Sequence, residues 1–181
     1  MTRGIGGRTG AGGRDLTNVY LALVVLAALV LLQATFLGRI RVLGVTPNLL
    51  LVAVIAWSLL HGIEEGLLWG FIGGLGVDLV AGLPLGASSL ALMTVCFLAG
   101  IGKTTVFPGH LTLPIFVVAL ATPLHGWIIL LTEALLGAPI NWVAETVRVI
   151  GPEILLNAAL TIPVYPLLRG LRRATGSRAE L

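Results

Sequence analysis

Residues 64–89 read EEGLLWGFIGGLGVDLVAGLPLGASS. Gly66, Gly70 and Gly74 recur at every fourth position, and Asp78, Gly82 and Gly86 continue the register. Residues i and i+4 of a helix lie on neighbouring turns of one face. One face of this segment is therefore almost bare of side chains and then presents a carboxyl group. Inside lipid, where tight contact drives association, a small-xxx-small face lets a second helix approach closely. That second helix is either a sibling within this chain or a span of a partner protein. Glu64 and Glu65 suit the positive end of the helix dipole, and Gly82-Leu83-Pro84 is a stop signal.

The rest of the chain has the same character. Of 181 residues, 57% are hydrophobic and 10% charged, against about 45–50% and about 25% in soluble domains. The mean hydropathy is +1.04. This composition excludes a disordered chain, a nucleic-acid-binding domain and an ordinary cytosolic enzyme. It predicts an all-α polytopic membrane protein. The net charge of +3 is concentrated at the two ends: Arg3, Arg8 and Arg14 at the start, Arg169, Arg172, Arg173 and Arg178 at the finish. In a membrane protein this pattern reads as topology and contact with anionic lipid. Cys96 is the single cysteine, so an intrachain disulfide and a thiolate metal cluster are both excluded.

Charges and turn residues punctuate six apolar segments, at about 16–37, 46–62, 64–81, 85–102, 111–136 and 149–168. The first is longer than the h-region of a signal peptide, about 7–15 residues, and matches the ~20 residues a spanning helix needs. The second opens on Thr46-Pro47, with proline at a first helical position. The second and third are short, which leaves a tilted or re-entrant hairpin open for them. Six spans put both termini on one side. With that side cytoplasmic, eight basic residues lie inside (the tail arginines and Lys103) against three outside, Arg39, Arg41 and Arg148, as the positive-inside rule requires. The predicted organisation is a flexible basic cytoplasmic tail (1–15), a six-helix transmembrane domain (16–168) and a second basic cytoplasmic tail (169–181).

Polar residues in this apolar setting are the candidate functional groups. A carboxyl group at the middle of a span costs about 2.5–3.5 kcal/mol on insertion scales. Asp78 therefore caps the turn that follows it, serves as a buried hydrogen-bond hub, or meets an ion, ligand or partner. His125 and Glu133 share one stripe of the fifth segment and could form a proton relay, or be polar groups around a kink at Pro123. Glu153 and Asn157 lie at i, i+4 near the start of the sixth, where the helix dipole accounts for Glu153. His61, Glu64 and Glu65 are too few convergent ligands for a metal site. The sequence holds no Ser-His-Asp set, Walker loop or HExxH motif, so neither enzymatic activity nor a cofactor is expected.

Pro47-Asn48-Leu49-Leu50-Leu51, followed by Gly70-Phe71, Gly74-Leu75, Asp78-Leu79, Gly82 and Leu85-Gly86, resembles the MreD family of bacterial rod shape-determining proteins. The family pattern is a Pro-Asp-Leu-Leu start and then G-F-x-x-G-L-x-x-D-L-x-x-G-x-x-L-G. Leu32-Gln33 followed by a threonine also looks like the family's first helix. Asn48 stands where the family usually has Asp, which removes a negative charge beside Pro47. The resemblance implies a non-enzymatic, multi-pass component of the bacterial inner membrane that works in cell elongation and peptidoglycan synthesis. It implies MreC as a direct partner, with MreB, RodA and a class-B penicillin-binding transpeptidase in the wider complex, and membrane lipids but no nucleic acid. It also implies a fold similar to the S components of energy-coupling-factor vitamin transporters. An S component that binds a small vitamin is the alternative function. It would use Asp78, His125, Trp127 and Glu133 at membrane depth, although Ala22, Ala27, Ala28 and Ala34 do not give the Ala-x-x-x-Ala docking spacing of such proteins.

Overall fold

The computed structural model describes residues 24–35, 41, 42, 44–103 and 111–176. Within these residues the chain is helical, with no β-strand beyond an isolated Val42–Val45 bridge. The elements are α1 (Val24–Thr35), α2 (Leu49–His61), α3 (Ile63–Ala81), α4 (Ala87–Lys103), α5 (Thr112–Leu135) and α6 (Trp142–Glu145). α6 runs through a π turn (Thr146–Ile150) into α7 (Gly151–Gly176). The all-α expectation holds. Two helical stretches, Thr112–Leu135 and Trp142–Arg172, are long and apolar enough to cross a membrane, and α1, α2 and α4 provide shorter apolar helices. The first tail (1–15) and the 104–110 connection lie outside the described residues.

α2 is the centre of the bundle. Leu49 to Ala56 are all buried, and the helix packs against α3, α4, α5 and α7. Leu50, Leu51, Val52, Val54 and Ile55 form the heart of the core, with Leu92, Val95 and Cys96 from α4, Val118 from α5, and Leu26 and Val30 from α1. At 13 residues, a helix rising about 1.5 Å per residue spans only ~20 Å. Its first residues, Leu49 to Leu51, are buried, so the amides that a helix start leaves without intrahelical partners need acceptors from side chains nearby.

The sixth segment differs from its sequence reading at both ends. The helix starts at Trp142 rather than 149, because Asn141 caps it through a 3.1 Å bond from the Ala144 amide to its Oδ1. It also continues to Gly176, so the second basic segment begins as helix. Glu153 consequently lies inside a continuous helix and not in a first turn, and the dipole account of it is withdrawn. Pro152 is the misleading signal. In an unbroken α-helix its ring would clash with the carbonyl four residues back. The chain widens instead into the π turn just ahead of it, where the Gly151 amide donates to the Thr146 carbonyl.

Candidate functional site

The quoted segment forms the α3–α4 hairpin, and its small residues are consumed within the fold. A Cβ at Gly66 would fall on the Ser58 side chain of α2, and one at Gly74 on the Ser89 backbone of α4. At Gly70 it would stand 3.3 Å from the Leu92 backbone. Ser58 and Ser89 also tie the helices together, donating to the carbonyls of Cys96 and Phe71 at 3.0 Å each. The glycine stripe is thus the seat of α4 and of α2. It ends with the helix at Ala81, so Gly82 and Gly86 are turn residues and not a continuation of that face. Both have positive φ, +68° and +97°, with open space around them, a backbone region that side chains other than glycine rarely adopt.

Asp78 closes this hairpin. It is buried, and its two carboxyl oxygens accept from the amides of Gly86 (2.8 Å) and Ser88 (3.0 Å) at the head of α4. Its carbonyl accepts from Gly82 and Leu83 behind it. One residue therefore caps the end of α3 and the start of α4. The bulky residues of the same motif have the opposite fate. Phe71, Leu79 and Leu85 are exposed, and Leu75 is half-buried.

A second polar centre lies at the start of α2 and collects groups from four helices. Asn48 caps its own helix, its Oδ1 accepting from the Leu51 amide at 3.0 Å. Gln33 of α1 accepts from the Leu49 amide at 2.8 Å and donates to the Pro47 carbonyl at 3.1 Å. Asn157 of α7, fully buried, accepts from the Asn48 amide at 2.8 Å and donates to the Thr122 hydroxyl of α5 at 3.2 Å. Glu153 joins at the edge, accepting from Asn157 at 3.4 Å. The Leu-Gln-x-Thr and Pro-Asn signatures are thus one arrangement: they supply the acceptors that the enclosed head of α2 needs.

The structure does not bring His125 and Glu133 together. His125 is buried near Thr122, and Glu133 lies two turns on, where its carbonyl accepts from the amides of Leu136 and Ala138. Among the described residues no hydrogen bond joins their side chains. His61, Trp57 and Trp69 form a stack with centroid spacings of 3.9 and 4.1 Å. The Trp57 indole donates to Glu65 at 3.0 Å, so this cluster ties α2 to α3.

A Cβ at Gly126 of α5 would lie 2.9 Å from the Ile150 side chain, so α5 and the π turn touch there. Between α5 and the α6–π-turn segment lies a shallow, open groove of about 540 Å³ lined by Trp127, Leu131, Trp142, Val143, Thr146 and Val147. Its lining is apolar, and the Trp127 indole donates to the Thr146 hydroxyl at 3.2 Å. Sequence reasoning missed this groove. Of the candidate residues named from sequence, most lie in the α3–α4 hairpin and at the head of α2, His125 and Glu133 lie on α5, and Trp127 alone lines the groove.

Comparison with known proteins finds one family model, described as rod shape-determining protein MreD, matching residues 14–175 of the 181-residue chain. No curated protein matches, and no solved structure matches.

Proposed function

This chain belongs to the MreD family of rod shape-determining proteins, and on that premise we propose that it binds MreC and helps organise the wall synthases of cell elongation. Membership makes it a membrane protein of the bacterial cell-shape machinery. The finer reading is a multi-pass protein of the cytoplasmic membrane with six spans, both termini inside and a fold akin to the S components. It assembles through MreC with MreB, RodA and a class-B penicillin-binding transpeptidase, and catalyses no reaction itself.

The observation that carries the proposal is the family match across nearly the whole chain. The glycine stripe is filled by α2 and α4, which supports a docking face elsewhere for a partner span. The open groove between α5 and the π turn is apolar, and an apolar helix laid along it is the docking mode this reading favours. The polar groups of the head of α2 bond one another, which favours a scaffold over a site for a small vitamin.

Affinity purification of the tagged protein from native membranes in mild detergent, with mass spectrometry, tests this reading. Recovery of a single-span coiled-coil protein with wall synthases supports it. Recovery of two ATPases with a shared membrane subunit overturns it in favour of a transporter.

A further inference from the structure

His125 is a buried ring without a partner. It is 8% exposed, and among the described residues it makes no hydrogen bond or ion pair. Buried polar groups are nearly always hydrogen-bonded, so this one calls for an explanation. Its place in the fold supplies one. Thr122 of α5 accepts from Asn157 of α7 at 3.2 Å, and a Cβ at Gly126 would lie 2.9 Å from Ile150. These two contacts bracket His125 on α5 and Glu153 on α7. Both helices are irregular at this level. Pro123 has no amide for the carbonyl four residues back, and the π turn ends at Ile150. On one side of this level, Val118 is buried in the core and Thr122 holds Asn157. On the other, the distal half of α5 (124–135) meets the π turn at Gly126 and through the Trp127–Thr146 hydrogen bond. The distal parts are an arm with a joint in each helix.

The closed seam suits a neutral ring. An imidazolium there would be a buried charge with no paired anion, and burying a charge costs far more than burying a neutral polar group. Glu153 is the ionisable side chain that α7 brings to this level, and no ion pair joins it to His125. The other ionisable groups on the elements packed around α5 lie elsewhere. Glu133 is two turns along α5, and Glu145 and Arg148 belong to the α6–π-turn segment. His61 and Lys103 stand at the last positions of α2 and α4, and the arginines of α7 begin at Arg169. Once the seam parts, water reaches the ring, and a hydrated imidazole titrates near pH ~6.5. The open form then binds a proton that the closed form does not. The closed seam is therefore fully held above about pH 6.5 and weakens about tenfold for each pH unit below it.

We propose that His125 is an acid-sensitive latch on the α5–α7 seam. Protonation of its imidazole from solvent swings the distal half of α5 away from the π turn, with Pro123 and the π turn as the two joints. The latch itself is independent of what docks beside α5. That acid also weakens docking there rests on the reading above.

The test uses the purified full-length protein in detergent micelles with no partner present, so failure of the docking reading leaves its result unchanged. Hydrogen–deuterium exchange is followed by mass spectrometry at about pH 7.5 and about pH 5.5, one unit either side of the imidazole value, with rates corrected for intrinsic exchange. In the wild type, protection at 127–131 and 146–149 falls about tenfold between the two. Residues 50–56 of α2, in the core, keep theirs. H125Q and H125F are neutral at every pH and show equal protection at both values. H125F retains a ring of similar size and keeps the test decisive if H125Q does not fold. A merely structural ring would give variants with lower protection at both values and the tenfold ratio intact, which overturns the proposal. A flat wild-type ratio overturns it as well. So does a fall that persists in both His125 variants and vanishes in E153Q, which would place the titration on Glu153.

Discussion

Replacing Asp78 with leucine leaves the amides of Gly86 and Ser88 without the oxygens that now lie 2.8 and 3.0 Å away. A buried donor left without a partner costs about 1–3 kcal/mol, so the two together cost about 2–6 kcal/mol. For a chain of this size each kcal/mol lowers the thermal midpoint by about 2–4 °C, which places Asp78→Leu on the order of 10 °C below the wild type. Asparagine retains one acceptor oxygen but turns an NH2 group toward the other amide. Asp78→Asn should therefore lose about half as much. Thermal unfolding of the purified protein in detergent, followed by circular dichroism, measures both. If Asp78→Leu unfolds at the wild-type midpoint, the double cap contributes nothing and the account of the hairpin is wrong. If the two variants fall equally, hydrogen bonding is not what Asp78 supplies.

Gly74→Ala drives a Cβ into the Ser89 backbone and should cost about 1–3 kcal/mol as overpacking. Gly82→Ala meets open space and should cost about 1 kcal/mol from its backbone angle alone, an order that paired thermal melts would check. Asn157→Leu orphans the Asn48 amide. A loss of about 1–3 kcal/mol follows, with faster amide hydrogen exchange at the head of α2 as its local signature. Val143→Trp fills the groove from an exposed position. It should abolish MreC recovery in the affinity purification while leaving the thermal midpoint near that of the wild type.

The α3–α4 hairpin was legible because its instructions are local. Glycines at i+4 spacing, a stop at Gly82-Leu83-Pro84 and a carboxyl group one turn earlier all lie within a single stretch of sequence. Two readings of Asp78, cap and buried hub, proved to be one arrangement. The choice between sibling and partner for the glycine face needed the positions of Ser58, Ser89 and Leu92. The link between Asn157 and Asn48, 109 residues apart, was illegible, because no local pattern marks a tertiary partner. Thr122 and Ser58 passed unnoticed for the same reason: a hydroxyl that bonds a distant carbonyl or amide looks like any small polar residue. The groove was hidden by lack of contrast, since apolar side chains in a chain that is 57% hydrophobic carry no signal of exposure. Pro152 misled because a π turn can absorb a proline that, on local rules, should start a helix.

A photo-crosslinking amino acid at Val147 of the π turn in living cells, with Leu90, exposed on α4, as its control, asks whether MreC docks beside α5. Docking there gives an ultraviolet-dependent adduct with MreC from position 147 and none from position 90. An adduct from position 90 alone, or none from either while MreC still co-purifies, rules that docking out.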